Sequence, residues 1–334
     1  MRINQNFDNG LPISEAPLPP YGFMHKDHFD GIDMEAPPLA WTIPPAAKST
    51  DRRVEWAIWR QSVIEEIADV LWPIFDLETH SWMGRSTAQM RSLTEADLDL
   101  LAHINGLAEP PLSRVPRHKL RGWDCPENLT IFNTEDGRPE PAKRFGEEYN
   151  LYDRSSVIKE VLPAMRLLFS QGNRRKVGSA SLQFKLRFQR PRPYQASLVL
   201  GRKAHVHLTA IRGDTPSMQS GHCLQGLLSV GNIMERFLAD SAPLGADNWE
   251  ALQQWSVDIG DRRVMAGVHY PSDNIASWIL AMRLADRVFT DPQVKQKLWN
   301  AIEGQSFIYE QIKVSPASKG VYKEALALLL EAKA

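Results

Sequence analysis

Cysteine is nearly absent from the sequence, which holds two, Cys125 and Cys223, among 334 residues. Two cysteines form no disulfide framework, so the fold must be held by its core, and a reducing compartment suits such a chain. A chain of this length buries a substantial core without covalent staples. The formal net charge is −1, so the overall balance indicates neither nucleic acid nor an anionic membrane as a partner.

Long apolar runs are also missing. Stretches such as residues 226–234 fall well short of the roughly 20 residues that span a bilayer. The N-terminal residues contain a single arginine, Arg2, with no apolar segment after it, so we predict no secretory signal. These absences lead us to expect a protein without transmembrane segments that resides in the cytoplasm.

Alternation of polar and apolar residues, which marks a strand, is scarce. Residues 203–211 are the best candidate, as one edge strand or hairpin arm. Apolar residues at helical spacing dominate instead, for example Val54, Ile58, Val63 and Ile67. The predicted fold class is therefore mainly α, a helical bundle with little or no β structure.

Three regions differ in composition. Residues 1–50 are rich in proline and predict an extended arm. Residues 51–150 predict N-terminal helices, the first interrupted at Pro73, followed by an irregular insertion, all packed on the core. Residues 151–334 return to helical periodicity and predict the main bundle. Within the middle region, Ser92 or Thr94 is the predicted cap of a helix that carries a packed or solvent-facing histidine, His103.

Three short motifs carry residues suited to chemistry, although each has an ordinary structural explanation. The first places Lys185 seven residues before Arg192 and could be a solvated basic face. The second, Ser220-Gly221-His222, stands at the entrance to an apolar helix, where free N–H groups and the helix dipole favour an anion. The third spaces Arg263, His269 and Asp273 around the predicted start of a helix near Pro271 or Ser272.

Taken in order, the patterns K-x6-R-P, S-G-H and R-x5-H-x3-D resemble the type 2 phosphatidic acid phosphatase superfamily. That superfamily also contains the bacterial class A acid phosphatases and the vanadium-dependent haloperoxidases. The likeness covers residues 185–273, and no resemblance is found upstream of about residue 150. It implies a helical bundle of the acid phosphatase and vanadium haloperoxidase type, with residues 151–334 as the catalytic domain.

The resemblance also implies a role for each matching residue. His269 would be the nucleophile on phosphorus, and Asp273 would hold its second ring nitrogen and fix the tautomer. His222 would protonate the leaving alkoxide and then activate water. The groups implied to bind the tetrahedral oxyanion are Lys185, Arg192, Ser220, Gly221 and Arg263.

Two positions depart from the family pattern. Gln219 stands where proline usually precedes Ser-Gly-His, which is expected to relax the turn that presents Ser220. Arg262 stands where serine or threonine is usual and would either add positive charge or point outward. Arg187 and Arg190 are interpreted as structural or peripheral.

Phosphate and vanadate share shape and charge, so the motifs leave several functions open. The favoured one is a phosphatase that hydrolyses a phosphomonoester or diphosphate through phosphohistidine, with a small-molecule or lipid phosphate as substrate and with neither metal nor cofactor. The alternative is a vanadium-dependent haloperoxidase with vanadate on His269. The third, from another class, is a non-catalytic oxyanion-binding protein. Helical relatives often pair through a flat face, so a homo-oligomer is compatible with the pattern, but no residue identifies the surface.

Overall fold

A computed structural model describes residues 49–76, 81–83, 87–106, 180–205, 216–239 and 246–334. The predicted arm, apart from its last two residues, and the predicted insertion lie outside these ranges. The described part contains ten α-helices and one 3₁₀ turn at Pro316–Lys319. The helices are α1 (Ser49–Leu71), α2 (Thr87–Gly106), α3 (Ala180–Phe188), α4 (Pro193–Val199), α5 (Gly221–Ala239), α6 (Ala246–Met265), α7 (Pro271–Val288), α8 (Pro292–Gln305), α9 (Phe307–Val314) and α10 (Lys323–Lys333).

Strand structure within the described ranges is confined to one antiparallel pair, β1 (Phe75–Asp76) and β2 (Ser81–Trp82). Each strand has two residues, and Phe75 lies opposite Trp82. Of the predicted strand at 203–211, residues 203–205 are described and adopt no strand, while the rest lie outside the described residues. The described part of the chain is mainly α-helical, as predicted.

The two N-terminal helices show where local signals succeed and fail. Helix α1 ends at Leu71, two residues before Pro73, as the helix-breaking effect of proline predicts. Helix α2 begins at Thr87, so the predicted cap at Ser92 or Thr94 is wrong. Thr94 lies inside the helix, where its hydroxyl donates to the carbonyl of Met90. His103 is exposed on the last turn of α2.

Helix α7 is the central element of the bundle. Its residues 271–282 are all buried, because α1, α2, α5, α8 and α10 pack around it. Such a helix needs apolar or hydrogen-bonded residues on every side. The same apolar core includes residues of α1 and α2, for example Trp56 and Leu101, together with those of the C-terminal helices.

Helices α5 and α6 pack closely side by side. A side chain at Gly260 would place its Cβ 2.8 Å from the Cβ of Cys223, so only glycine permits this approach. The close pair brings the start of α5 and the end of α6 to the same end of α7, where all three motifs meet. No helix in the described part of the chain is both long and apolar enough to cross a membrane.

Candidate active site

The first motif spans the turn between α3 and α4. Lys185 lies in the last turn of α3, and its buried ammonium group donates to the carbonyl oxygens of Pro216 and Ser217 at 2.6 and 3.0 Å. Arg192 directly precedes α4. Its Nη1 donates to the carbonyl of Val268 at 2.7 Å and lies 2.8 Å from Nε2 of His269. The first motif therefore touches the segments that carry the other two.

The second motif begins α5 at Gly221, as expected for a helix entrance. A Cβ on Gly221 would lie 2.6 Å from Oγ of Ser181 and 3.4 Å from Cε of Lys185. Glycine at this position thus lets the N-terminus of α5 approach the lysine of the first motif. His222, the next residue, is half-buried.

Ser220 uses part of its hydrogen-bonding capacity within the protein. Its backbone N–H donates to the carbonyl of Asp273 at 3.3 Å, and its Oγ accepts from the N–H of Cys223 at 3.3 Å, as an N-cap does. The N–H of Ser220 is therefore engaged, in contrast to the expectation that it faces an anion. The hydroxyl hydrogen of Ser220 and the N–H of Gly221 remain the candidate donors of this turn.

The two departures from the family pattern have specific partners. Gln219 is buried, donates to Oγ of Ser181 at 3.0 Å and accepts from Oγ of Ser277 at 3.2 Å. These bonds tie the turn to α3 and α7, so the expected relaxation is wrong. Arg262 is also buried and pairs with Asp258 at 3.3 Å on its own helix, rather than pointing outward.

The third motif joins the end of α6 to the start of α7. Arg263 is buried in the last turn of α6. The chain then turns through Gly267, whose φ of 73° favours glycine, and α7 begins at Pro271 as predicted. His269 lies buried in this turn, and its Nδ1 is 3.0 Å from Oδ2 of Asp273.

The hydrogen bonds of His269 define its tautomer. A carboxylate only accepts, so Nδ1 carries the proton and donates it to Asp273. A guanidinium only donates, so Nε2 of His269 presents its lone pair to Arg192. The nitrogen required for nucleophilic attack therefore faces the cationic side of the site.

The pKa shifts show that the cations and the two imidazoles lie close together. Burial, and then the positive charges of Arg192, Lys185 and Arg263, lower the pKa of His269 well below its usual range. Burial and the same three cations, together with His269, lower the pKa of His222 in the same way. Burial and the neighbouring Arg192 and Arg263 also lower the pKa of the Lys185 ammonium, although Asp273 opposes them.

Asp273 is fully buried behind His269, and donors contact both of its oxygens. Oδ2 accepts from His269, from the backbone N–H of Tyr270 at 2.9 Å and from the hydroxyl of Ser217. Oδ1 accepts from Nη1 of Arg190 at 3.1 Å. Four donors bind the carboxylate and fix its orientation.

Arg190 has a larger part in the site than its sequence position indicated. The side chain is 1% exposed, and its guanidinium lies 3.8 Å from the ring centroid of Tyr270. Besides Asp273 it contacts Oγ of Ser272 at 2.7 Å and Oδ2 of Asp97 at 2.8 Å. The structural interpretation of Arg190 is therefore correct and the peripheral one is wrong. Arg187, by contrast, is exposed.

Asp97 and Tyr322 are members of this buried cluster that the motifs did not reveal. Oδ1 of Asp97 accepts from the hydroxyl of Tyr322 at 2.6 Å and from the N–H of Ser272 at 3.0 Å. One sequence signal marks Asp97, since it falls on the apolar stripe of α2 between Leu93 and Leu101. A carboxylate in such a stripe has to find a buried partner.

The structure thus brings all eight predicted site residues to one end of α7. No protein-family model, curated protein or solved structure matches the chain. Within the described residues, no cluster of three or more histidine, cysteine or acidic side chains could hold a metal ion.

Proposed function

We propose that the protein is a phosphatase that transfers a phosphoryl group to Nε2 of His269 and then to water. One observation carries the proposal: His269 donates through Nδ1 to Asp273 and directs Nε2 at Arg192. A neutral imidazole with this tautomer is a nucleophile, and the surrounding positive charge attracts the phosphate ester that it would attack. The bundle would then be of the acid phosphatase and vanadium haloperoxidase type.

The cationic side of the site suits the transition state of phosphoryl transfer. Arg192, whose Nη1 contacts Val268 and His269 in the free protein, would bind equatorial oxygens through its forked N–H groups, and Lys185 would act as a point charge. Arg263, buried in the last turn of α6, adds a third positive charge. After burial, this charge is among the causes that lower the pKa of both imidazoles. Donors fixed in a buried site stabilise developing charge without reorganising during the reaction. These cations supply the charge neutralisation that metal ions provide in many phosphotransferases.

The chemistry would proceed in two balanced steps. Nε2 of His269 forms a bond to phosphorus while the ester oxygen leaves, and protonated His222 gives that oxygen a proton. Neutral His222 then takes a proton from water, which attacks the phosphohistidine and releases inorganic phosphate and free His269. In the free protein burial, and then the nearby cations, lower the pKa of His222 and keep it neutral, so the negative charge of the bound ester is what raises its pKa and makes it an acid.

The test is hydrolysis of p-nitrophenyl phosphate in EDTA, combined with trapping of the intermediate. We expect wild type to turn over, orthovanadate to inhibit it, and His269→Ala to lower kcat by roughly 10⁴-fold or more. Rapid quenching with ³²P-labelled substrate should give an acid-labile, base-stable phosphohistidine in wild type and none in His269→Ala. His103→Ala, which changes an exposed histidine on α2, is the matched control and should retain full activity.

Two results would overturn the proposal. One is full activity in His269→Ala. The other is no hydrolysis by wild type across phosphomonoesters, diphosphates and phospholipids over a broad pH range. In the second case, bromination of a dimedone-type acceptor by vanadate-reconstituted protein with peroxide and bromide would assign the same residues to the haloperoxidase alternative. Failure of both assays, with vanadate still bound, would leave a non-catalytic oxyanion-binding protein.

A further inference from the structure

Asp97 joins the candidate site to a part of the chain that lies outside all three motifs. It belongs to α2, is 0% exposed, and accepts hydrogen bonds from three residues. The donors are Nη2 of Arg190, the N–H and hydroxyl of Ser272, and the hydroxyl of Tyr322. A carboxylate this deeply buried is retained only with such partners.

Two of the three partners of Asp97, Arg190 and Ser272, also position Asp273. Ser272 directly precedes Asp273 in the first turn of α7, and both its backbone N–H and its hydroxyl are bound to Asp97. Arg190 bridges the two carboxylates, with Nη2 on Asp97 and Nη1 on Asp273. Asp97 therefore fixes the position of Asp273 through the backbone and through a guanidinium.

The charges lead to the same conclusion. One guanidinium is shared between Asp97 and Asp273, so it does not cancel the charge of Asp273 alone. Without the Asp97 carboxylate, Arg190 would pair with Asp273 only, and that carboxylate would attract the Nδ1 proton of His269 less strongly. Nε2 would then be a weaker nucleophile, because the Nδ1 partner tunes the basicity of the ring.

We propose that Asp97 is a positioning residue for the site: through Arg190 and Ser272 it holds Asp273 in place against Nδ1 of His269. Asp97 contacts neither Lys185 nor Arg192, the cations that would receive the phosphate. Its loss should therefore weaken the chemical step and leave substrate binding nearly unchanged. The kinetic part of this inference rests on the proposed function, whereas the effect on the His269 tautomer does not.

The experiment compares Asp97→Asn with wild type by two readouts. We expect kcat for p-nitrophenyl phosphate to fall about 10–100-fold, as for residues that orient a reacting group, with KM changed less than twofold. In ¹⁵N-histidine-labelled protein, the His269 signals, assigned with His269→Ala, should change from a single Nδ1–H tautomer to a mixture. The side-chain amide of this variant would place its NH₂ group against donors, so the network cannot simply re-form.

Glu235→Gln is the matched control for a merely structural effect. Glu235 lies on α5, as His222 does, but 13 positions along the helix, or about 20 Å away. It accepts from the N–H and hydroxyl of Thr290 and from the N–H of Asp291. The same carboxylate-to-amide change there should lower the melting temperature without altering kcat or the His269 tautomer.

The outcomes separate this inference from the proposed function. Unchanged kcat and an unchanged His269 tautomer in folded Asp97→Asn would overturn it, even if wild type is a phosphatase. If wild type hydrolyses nothing, the His269 tautomer alone decides whether Asp97 is a positioning residue. Should Asp97→Asn fail to fold, Tyr322→Phe decides: it removes one hydrogen bond to Asp97 and should lower kcat roughly two- to tenfold. Wild-type kcat and tautomer in Tyr322→Phe would then refute the role of Asp97.

Discussion

The two ring nitrogens of His269 face regions that differ in their charged groups. On the Nδ1 side, two buried carboxylates, Asp273 and Asp97, share Arg190, and donors contact all four of their oxygens. On the Nε2 side, burial lowers the pKa of the ring, and the charged groups that act on it are cations, which lower it further. In the first region every carboxylate oxygen has a donor within the protein, and the second region has an excess of positive charge.

This difference assigns a distinct task to each side. A saturated carboxylate network holds one tautomer and one orientation, so damage to it should appear in the rate of the chemical step. A cationic pocket around neutral imidazoles is stabilised by an anion, so damage to it should appear in anion affinity and in its pH dependence. Variants can therefore be sorted by which of these two quantities they change.

His222→Ala tests the cationic side, and of the variants discussed below it should have the largest effect on kcat/KM. Loss of a general acid should lower kcat/KM for an alkyl phosphate by about 10²–10⁴-fold. The loss should be smaller for p-nitrophenyl phosphate, because p-nitrophenolate leaves without a proton. Since His222 also activates water, p-nitrophenolate should then appear as a burst equal to the enzyme concentration.

The measurement compares the decrease in kcat/KM for the alkyl phosphate with the decrease for p-nitrophenyl phosphate. Stopped-flow absorbance detects the burst of p-nitrophenolate. Equal losses for both esters, without a burst, would show that His222 takes no part in proton transfer. Asp273→Asn is the useful contrast from the Nδ1 side, since it should lower kcat for both esters alike.

Asp261→Asn sharpens the comparison with a third buried carboxylate. Asp261 binds Ser306 and the N–H of Ile308, and burial, with nearby Asp258, raises its pKa to about 8. Because this folded-state pKa exceeds the unfolded value near 3.8, the stability it contributes is full below about pH 4 and is lost as pH rises through 8. The variant lacks this dependence, so its relative stability should rise by up to about 1.4 kcal/mol per pH unit over that interval.

Urea unfolding at pH 5, 6, 7 and 8 measures the free-energy difference between variant and wild type. Asp286→Asn, at a carboxylate that is 56% exposed, is the control and should give a difference that varies little with pH. A difference that stays constant with pH for Asp261→Asn as well would show that burial does not keep this carboxylate protonated.

The groups that touch the anion side could be predicted from the sequence, because short motifs and helix signals place them. Pro271 and the acidic first turn located the start of α7, and the glycine between Ser220 and His222 marked the entrance of α5. These features depend on neighbours a few residues apart. The same local signals misplaced the start of α2, which begins at Thr87, five residues before Ser92.

The partners on the Nδ1 side could not be predicted in this way. Ser272 and Asp97 are 175 residues apart in the sequence, and Tyr322 and Asp97 are 225 apart. No spacing rule links a carboxylate on α2 to a tyrosine before α10. The polar residue in the apolar stripe of α2 indicated that Asp97 needs a buried partner, but only the packing of α2 and α10 around α7 determines which one.

Sulfate binding tests whether the Nε2 side of His269 has an excess of positive charge. The expected effect, a pH dependence of sulfate affinity, is the smallest of those predicted here. Sulfate is a tetrahedral dianion whose charge stays constant between pH 5 and 8, so any pH dependence belongs to the protein. The lowered pKa values of His222 and His269 mean that both rings are neutral near pH 6.5 in the free protein. A bound dianion stabilises the imidazolium, so binding should take up protons, and affinity should rise as pH falls, by up to about tenfold per pH unit for each proton.

Calorimetry in two buffers of different ionisation enthalpy counts the protons that are taken up when sulfate binds. The number of protons taken up per bound sulfate should fall in His222→Ala and stay unchanged in His103→Ala. Binding without proton uptake at any pH would show that the cations are compensated within the protein, and the contrast between the two sides of His269 would disappear.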